Sequence, residues 1–145
     1  MILLDTNVVS EALKPVPTSA VVDWLDIHFT DCAISSLVVF ELHAGAAMLE
    51  PGKRRDTLET AVARAVRRFG PRIYPFDAAA AEAAARLVRV ARTAGLGIHQ
   101  IPAKLADLQT AGIAVAHGLQ LATRNIRDFD GLGLDLVDPW NVGQS

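Results

Sequence analysis

The feature that most constrains this chain is its opening run, Met1-Ile2-Leu3-Leu4-Asp5-Thr6-Asn7, in which three consecutive aliphatic residues stop at a carboxylate. Residues that are apolar whichever way they point suit a short strand covered on both faces, as in a parallel sheet between helices. Asp5 then lies at the strand's C-terminal end, the edge at which open α/β sheets bind ligands. Thr6 and Asn7 place a hydroxyl and an amide beside it. The same two residues also suit a plainer role, in which Asn7 or Thr6 caps the helix that follows.

Strands and helices alternate through the rest of the chain. A helix is predicted over 7–14, stopped by Pro15 and Pro17. A second starts at Thr18 or Ser19, with Val21, Val22, Leu25 and Phe29 inward and Asp23 and Asp26 outward. Cys32-Ala33-Ile34 reads as the second strand, and Ser35 or Ser36 caps a helix running to about 49, ended by Pro51-Gly52. A long polar helix over 53–69 carries Leu58, Ala61, Val62, Ala65 and Phe69 on one side and arginines on the other. The extended segment 73–76 is confined to an edge or a covering arm, because Pro75 cannot donate to a ladder. Asp77 caps an alanine-rich helix over 78–94 closed by Gly95 and Gly97, and Pro102 opens another that reaches Gly118. Strands over 119–123 and 134–137 complete an α/β fold with a short central parallel sheet flanked by helices.

With 145 residues the chain has the length of a single domain, 1–145, able to bury roughly two thirds of its unfolded surface without a cofactor or disulfide. Cys32 is the only cysteine, which excludes an internal disulfide and a thiolate zinc site within one chain and fits a reducing cytoplasm. Neither a signal peptide nor a membrane span is expected, since no basic leader precedes Asp5 and charge breaks every apolar run well before about 20 residues. The net charge of -2 is not that of a nucleic-acid binder by bulk electrostatics. The positive charge is concentrated mid-chain, however, from Lys53, Arg54 and Arg55 to Arg92.

Two acids occupy unusual settings. Glu41 has Leu37, Val38, Ala44 and Gly45 three and four positions away, which predicts that it lies within an apolar stripe, where a lone carboxylate is costly unless paired or metal-bound. A buried arginine partner, or a place at the stripe's edge, would account for it without a ligand. Asp107 has Ala111, Ala114 and Val115 along its side, with Lys104 three residues earlier offering an ordinary surface ion pair. The segment Thr123-Arg124-Asn125-Ile126-Arg127-Asp128-Phe129 gathers polar groups after the third strand, and Asn125 with Asp128 mimics a capping box. Carboxylates aimed at one pocket repel unless a cation neutralises them. With oxygen ligands, and with His28, His43, His99 and His117 lacking zinc-ligand spacing, the expected ion is Mg²⁺ or Mn²⁺ and the natural chemistry is phosphodiester hydrolysis.

Taken together, Leu3-Leu4-Asp5-Thr6-Asn7, Ser35-Ser36 with Glu41-Leu42 and Gly45, Asp107 with Ala111 and Ala114, and the run from Thr123 to Phe129 resemble the PIN domain. More narrowly they are similar to the VapC-type toxins of bacterial toxin-antitoxin modules, from Met1 to the Asp138-Pro139-Trp140 tail. The resemblance implies a three-layer PIN-like fold and an Mg²⁺-dependent endoribonuclease, with Mn²⁺ as the other candidate ion. It implies Asp5, Glu41 and Asp107 as the core acidic ligands, Asp128 or Asn125 as the fourth polar position, and Thr6, Asn7 and Thr123 as groups that position waters or a carboxylate. Arg124 and Arg127 are best placed to meet RNA phosphates, followed by Lys53, Arg54 and Arg55, while Arg64, Arg67 and Arg68 read as a solvated helix face. Two departures stand out: Val38 where the family often has a hydroxyl, and Ile98-His99-Gln100-Ile101-Pro102 in place of a glycine-rich approach to the helix of Asp107.

The resemblance further implies a homodimer, assembled into a heterotetramer or larger complex with an antitoxin whose C-terminal segment packs over the helices and places a basic residue in the acidic pocket. Val8, Val9, Leu13, the Val38-Val39-Phe40 run and Leu49 supply apolar surface for such contacts, or else belong to the core. Two other classes compete. A phosphoaspartyl enzyme would want an acid two residues after Asp5, where Asn7 stands, and a receiver domain would want a lysine after Lys104, where there is none. A PIN-like binding module without catalysis, acting through dimer or antitoxin contacts, is separated from the nuclease by metal-dependent cleavage of RNA.

Overall fold

The computed structural model describes residues 1–143, without the side chain of Ile98. Its centre is β1 (Ile2–Leu4), the middle strand of a five-stranded sheet whose other members are β2 (Cys32–Ser35), β3 (Ile73–Tyr74), β4 (Gln120–Ala122) and β5 (Leu136–Val137). All pairings are parallel and the order is β3-β2-β1-β4-β5. Leu3 pairs with Leu121 and Leu4 with Ala122. Side chains alternate across a pleat, and the core accordingly divides in two. Leu4, Ala122, Cys32 and Ile34 pack with Val8, Val21, Trp24, Val38 and Val62 on one face. Leu3 and Leu121 pack with Ala80, Leu87, Ala111, Ile113 and Phe129 on the other.

The first face is covered by α1 (Thr6–Ala12), α2 (Ser19–His28), α3 (Ser36–Ala47) and α4 (Lys53–Phe69), the second by α5 (Ala78–Thr93), α6 (Ile101–His117) and the short α7 (Ile126–Phe129). The result is the expected three-layer α/β arrangement, with seven α-helices among the described residues. No helix among them is long and apolar enough to cross a membrane.

Most elements start where their caps predict. Ser35 Oγ accepts from Val38 N–H at 3.2 Å and Asp77 Oδ1 from Ala80 N–H at 3.0 Å, opening α3 and α5. Segment 73–76 contributes only the two residues of β3 at an edge, as Pro75 requires. Elsewhere the sequence expectation gives way. The cap of α1 is Asp5, not Thr6 or Asn7, with its Oδ1 accepting from Thr6 N–H at 2.8 Å. In α2, Val22 and Leu25 are only half-buried while Trp24 reaches the core beside Val21. The strands predicted over 119–123 and 134–137 shorten to β4 and β5.

Glu11, which the sequence does not single out, is 5% exposed and clamps the α1–α2 junction. One carboxylate oxygen accepts from Thr18 N–H at 3.1 Å and Thr18 Oγ1 at 2.6 Å, and the other meets Lys14 Nζ at 2.6 Å. The Lys14 contact first, then those of Thr18, hold its carboxyl down at about 2 against an ordinary 4.5. The sheet's other face depends on close approach: a Cβ on Gly112 of α6 would lie 2.6 Å from the Ala80 carbonyl oxygen and 2.8 Å from Ala84 N, both backbone atoms of α5.

Gly112→Ala is therefore expected to force α5 and α6 apart and cost about 1–3 kcal/mol, read as a lowered thermal midpoint. Gly45→Ala in α3, where an added Cβ meets nothing within 4 Å, should be neutral or stabilising and serves as its control. Because the folded-state pKa of Glu11 is depressed, its stabilisation is present above about 4.5 and disappears as the pH falls towards about 2. Chemical denaturation of Glu11→Gln against pH should show a lower plateau at neutral pH and a shallower acid limb.

Candidate active site

The chain leaves β1 for β2 on one side, whereas β4 lies on β1's other side and leads outward to β5. The switch point, where an α/β sheet opens a crevice, is thus between the C-terminal ends of β1 and β4. The first residues past those ends are Asp5 and Thr123. Asp5 N–H donates to Ala122 O at 2.9 Å and Thr123 N–H to Val137 O at 3.0 Å, so the ladder itself sets both positions.

Three donors then fix the Asp5 carboxylate. Besides the Thr6 N–H on Oδ1, its Oδ2 accepts from Thr123 Oγ1 at 2.8 Å and from Asn7 Nδ2 at 3.2 Å. Thr123 Oγ1 in turn accepts from Asn125 N–H at 3.0 Å, and Asn7 Oδ1 from Arg124 N–H at 3.3 Å. Thr6, Asn7 and Thr123 thus converge on one carboxylate, and the Arg124 backbone holds Asn7 in turn.

Glu41 comes to the same place, but not as predicted. It is exposed, and Val38, Leu42 and Ala46 carry the buried stripe of α3. Glu41 flanks that stripe beside Phe40, itself 71% exposed, so its apolar sequence neighbours do not enclose it. Thr6 Oγ1 donates to Glu41 Oε2, joining α3 to the first residue of α1. Asp107 and Asp128 are both partly buried and meet through Lys104, whose Nζ lies 2.7 Å from Asp128 Oδ1 and 3.7 Å from Asp107 Oδ2. The capping box expected from Asn125 and Asp128 is absent: Asn125 is exposed and makes no side-chain cap bond, because Asp128 faces Lys104 instead.

Asp5 and Asp107 both respond to the neighbouring acids. Burial pushes the Asp5 carboxyl up, the Thr123 and Thr6 bonds oppose this, and the charges of Glu41 and Asp128 push it further. Asp107 rises to about 6 through burial and then the charge of Asp128, against the pull of Lys104. Lys104 is raised in its turn, chiefly by its hydrogen bond to Asp128. Such a site demands positive charge, and its carboxylate and hydroxyl oxygens are the donors a hard divalent ion takes. Among the described residues, however, no three His, Cys, Asp or Glu side chains stand together as a ready cage. Part of the demand is met internally, by Lys104.

Of the basic residues, Arg124 stacks on Trp140 with its guanidinium carbon 5.2 Å from the ring. Trp140 is held by its own N–H on Asp138 Oδ1 at 2.9 Å, a role the sequence does not reveal because it arises only when the tail folds back beside β4. Arg127 lines a cavity of about 290 Å³ with Lys104, Asp107 and Asp128. Lys53 and Arg54 line an apolar groove between α1, α3 and α4 whose wall includes Glu41. Arg64, Arg67 and Arg68 are exposed on α4, as expected of a solvated face.

The chain as a whole is similar to known proteins. The chain is 37% identical to the VapC ribonuclease Y4jK of Sinorhizobium fredii, over 97% of this chain and 98% of that protein. It is also 37% identical to Toxin FitB of Neisseria gonorrhoeae, over 97% of this chain and 99% of that one. The crystal structure of FitAcB from Neisseria gonorrhoeae superimposes with a TM-score of 0.87 at 37% identity, covering 98% of this chain and 100% of its counterpart. A sequence model of the PIN domain matches residues 2–133, and on that match and these likenesses the chain belongs to the PIN-domain family.

Proposed function

We propose that this protein is the toxin of a toxin-antitoxin module and acts as an endoribonuclease that hydrolyses RNA phosphodiester bonds with a divalent ion, Mg²⁺ or Mn²⁺. The observation that carries this is the clamped Asp5 carboxylate at the switch point, with three further acids within reach of its charge. Asp5, Glu41 and Asp107 would hold the ion, with Asp128 as a further ligand; Asn125, exposed and without a side-chain bond in its cap position, is the weaker candidate for that place. When bound, the ion supplies a nucleophile from water at neutral pH and offsets charge on the reacting phosphate.

The chain's own residues supply orientation. Thr6 N–H, Asn7 and Thr123 leave the Asp5 carboxylate a single direction, and Thr6 Oγ1 ties Glu41 to the same turn. Arg124, pinned at its backbone by Asn7 and at its guanidinium by Trp140, offers a fixed cation for an RNA phosphate, and Arg127 a second. These contacts position a strand without selecting its sequence. The likeness to a protein named a VapC ribonuclease and to one named a toxin supports the same reading over nearly the full length. The groove of about 830 Å³ lined by Leu13, Leu42, Ala46 and Leu58 suits an apolar segment of an antitoxin, with the toxin itself as a homodimer.

The Lys104 bridge and the want of a preassembled three-acid cage favour one second reading, a binding module without catalysis. Cleavage separates the two. Purified, partner-free protein incubated with a pool of structured RNAs should cut in Mg²⁺ and stop on chelation, and Asp5→Asn should cut at least about a hundredfold more slowly. A folded protein that cuts nothing under any of these conditions is the binding module.

Asp107→Asn should lose activity and gain stability together. Its folded-state carboxyl titrates at about 6 against an ordinary 3.8, so the native state holds the proton more tightly and stability falls as the pH rises through that window. Removing the charge should return about 1 kcal/mol at neutral pH after solvent screening, seen as a thermal midpoint a few degrees higher than that of the unaltered chain.

A further inference from the structure

Lys104 stands one turn before Asp107 on α6, a spacing that by itself gives only a weak surface pair. Its closer contact is elsewhere. Nζ lies 2.7 Å from Asp128 Oδ1, on a separate helix 24 residues along the chain, and 3.7 Å from Asp107 Oδ2. The lysine side chain is 32% exposed, so this is a partly desolvated contact that links α6 to α7. Without it the two carboxylates would face each other unneutralised.

Those oxygens are among the ones the proposed ion would need. A carboxylate oxygen engaged by an ammonium at hydrogen-bond distance is not free to coordinate a hard cation, which binds oxygens at about 2.0–2.1 Å. We propose that Lys104 is a resident cation of the acidic site: it holds Asp107 and Asp128 together in place of a divalent ion and competes with that ion for their oxygens. Loading then requires the ammonium to swing out on its flexible four-carbon stem, and the affinity for the ion is reduced by the fraction of molecules in which Lys104 remains paired. Two of the four acids thus already face a positive charge, Asp128 at hydrogen-bond distance and Asp107 at ion-pair distance.

This inference rests on the metal reading of the site, and its test separates the two. Mn²⁺ binding to the full chain is measured by electron paramagnetic resonance of the free ion, with thermal melts in its presence and absence. The proteins compared are the unaltered chain, Lys104→Met, Lys104→Gln and Lys104→Arg. Both neutral variants should bind Mn²⁺ about five- to tenfold more tightly, and Mn²⁺ should raise their melting temperatures more than that of the unaltered chain. Lys104→Arg, which keeps the charge, should stay within about twofold of the unaltered chain. If the unaltered chain binds Mn²⁺ and a folded neutral variant binds it no more tightly, the competition is overturned while the metal reading stands. If neither the unaltered chain nor any folded variant binds Mn²⁺, both fall.

Discussion

The pairing of β1 with β4 is the constraint on which the rest of the molecule depends. It sets Leu3 against Leu121 and Leu4 against Ala122, and so decides which residues enter each half of the core. The ladder ends in the bond from Asp5 N–H to Ala122 O, which brings the Asp5 carboxylate within 2.8 Å of Thr123 Oγ1. A slip of one residue would send Leu3 and Leu4 to the wrong faces and carry the carboxylate away by about 3.3 Å. The hydrophobic pattern of a three-residue strand therefore also sets the geometry of the site. Packing and site geometry have one cause.

Gathering acids at that edge opposes folding, since each carboxylate raises the cost of ionising the next. The fold offsets this by two different means. Around Asp5 the donors are neutral: a backbone N–H, a threonine hydroxyl and an asparagine amide, all on residues next to the two strand ends. Around Asp107 and Asp128 the compensation is a full charge, on Lys104. Neutral donors give Asp5 a fixed orientation and leave its charge in place, whereas the ammonium neutralises and occupies. The two halves of the site thus differ in how they meet an incoming cation, although their ligand types are the same.

How much of this the sequence discloses depends on the range of the interaction. Caps such as Ser35 and Asp77, the helix end at Gly118, and the confinement of 73–76 to an edge follow from local chemistry and agree with the structure. The likeness of the motif order to a PIN domain implies the three-layer α/β fold that the structure has, with strands at 120–122 and 136–137 shorter than the sequence predicts. Glu41 is less legible, because apolar neighbours at three and four residues predict a buried stripe only if that whole face meets the core. In α3 the stripe is narrower, running through Val38, Leu42 and Ala46, and the neighbouring face with Phe40 is open. Glu11 is hidden in the sequence for the converse reason: on a short helix it reads as an ordinary surface acid, and only the turn at Thr18 encloses it. The sequence pairs Lys104 with Asp107, whereas its shorter bond crosses to α7.

Glu41 also shows why exposure does not imply independence from the site. Its Oε2 accepts from Thr6 Oγ1, and the same Thr6 gives its N–H to Asp5 Oδ1, so a single residue couples the two acids. On its other side Glu41 lines the groove between α1, α3 and α4, with Lys53 and Arg54 across from it. The acidic site and the apolar groove accordingly share a wall. Anything seated in the groove meets a side chain that is one hydrogen bond from the residue orienting Asp5.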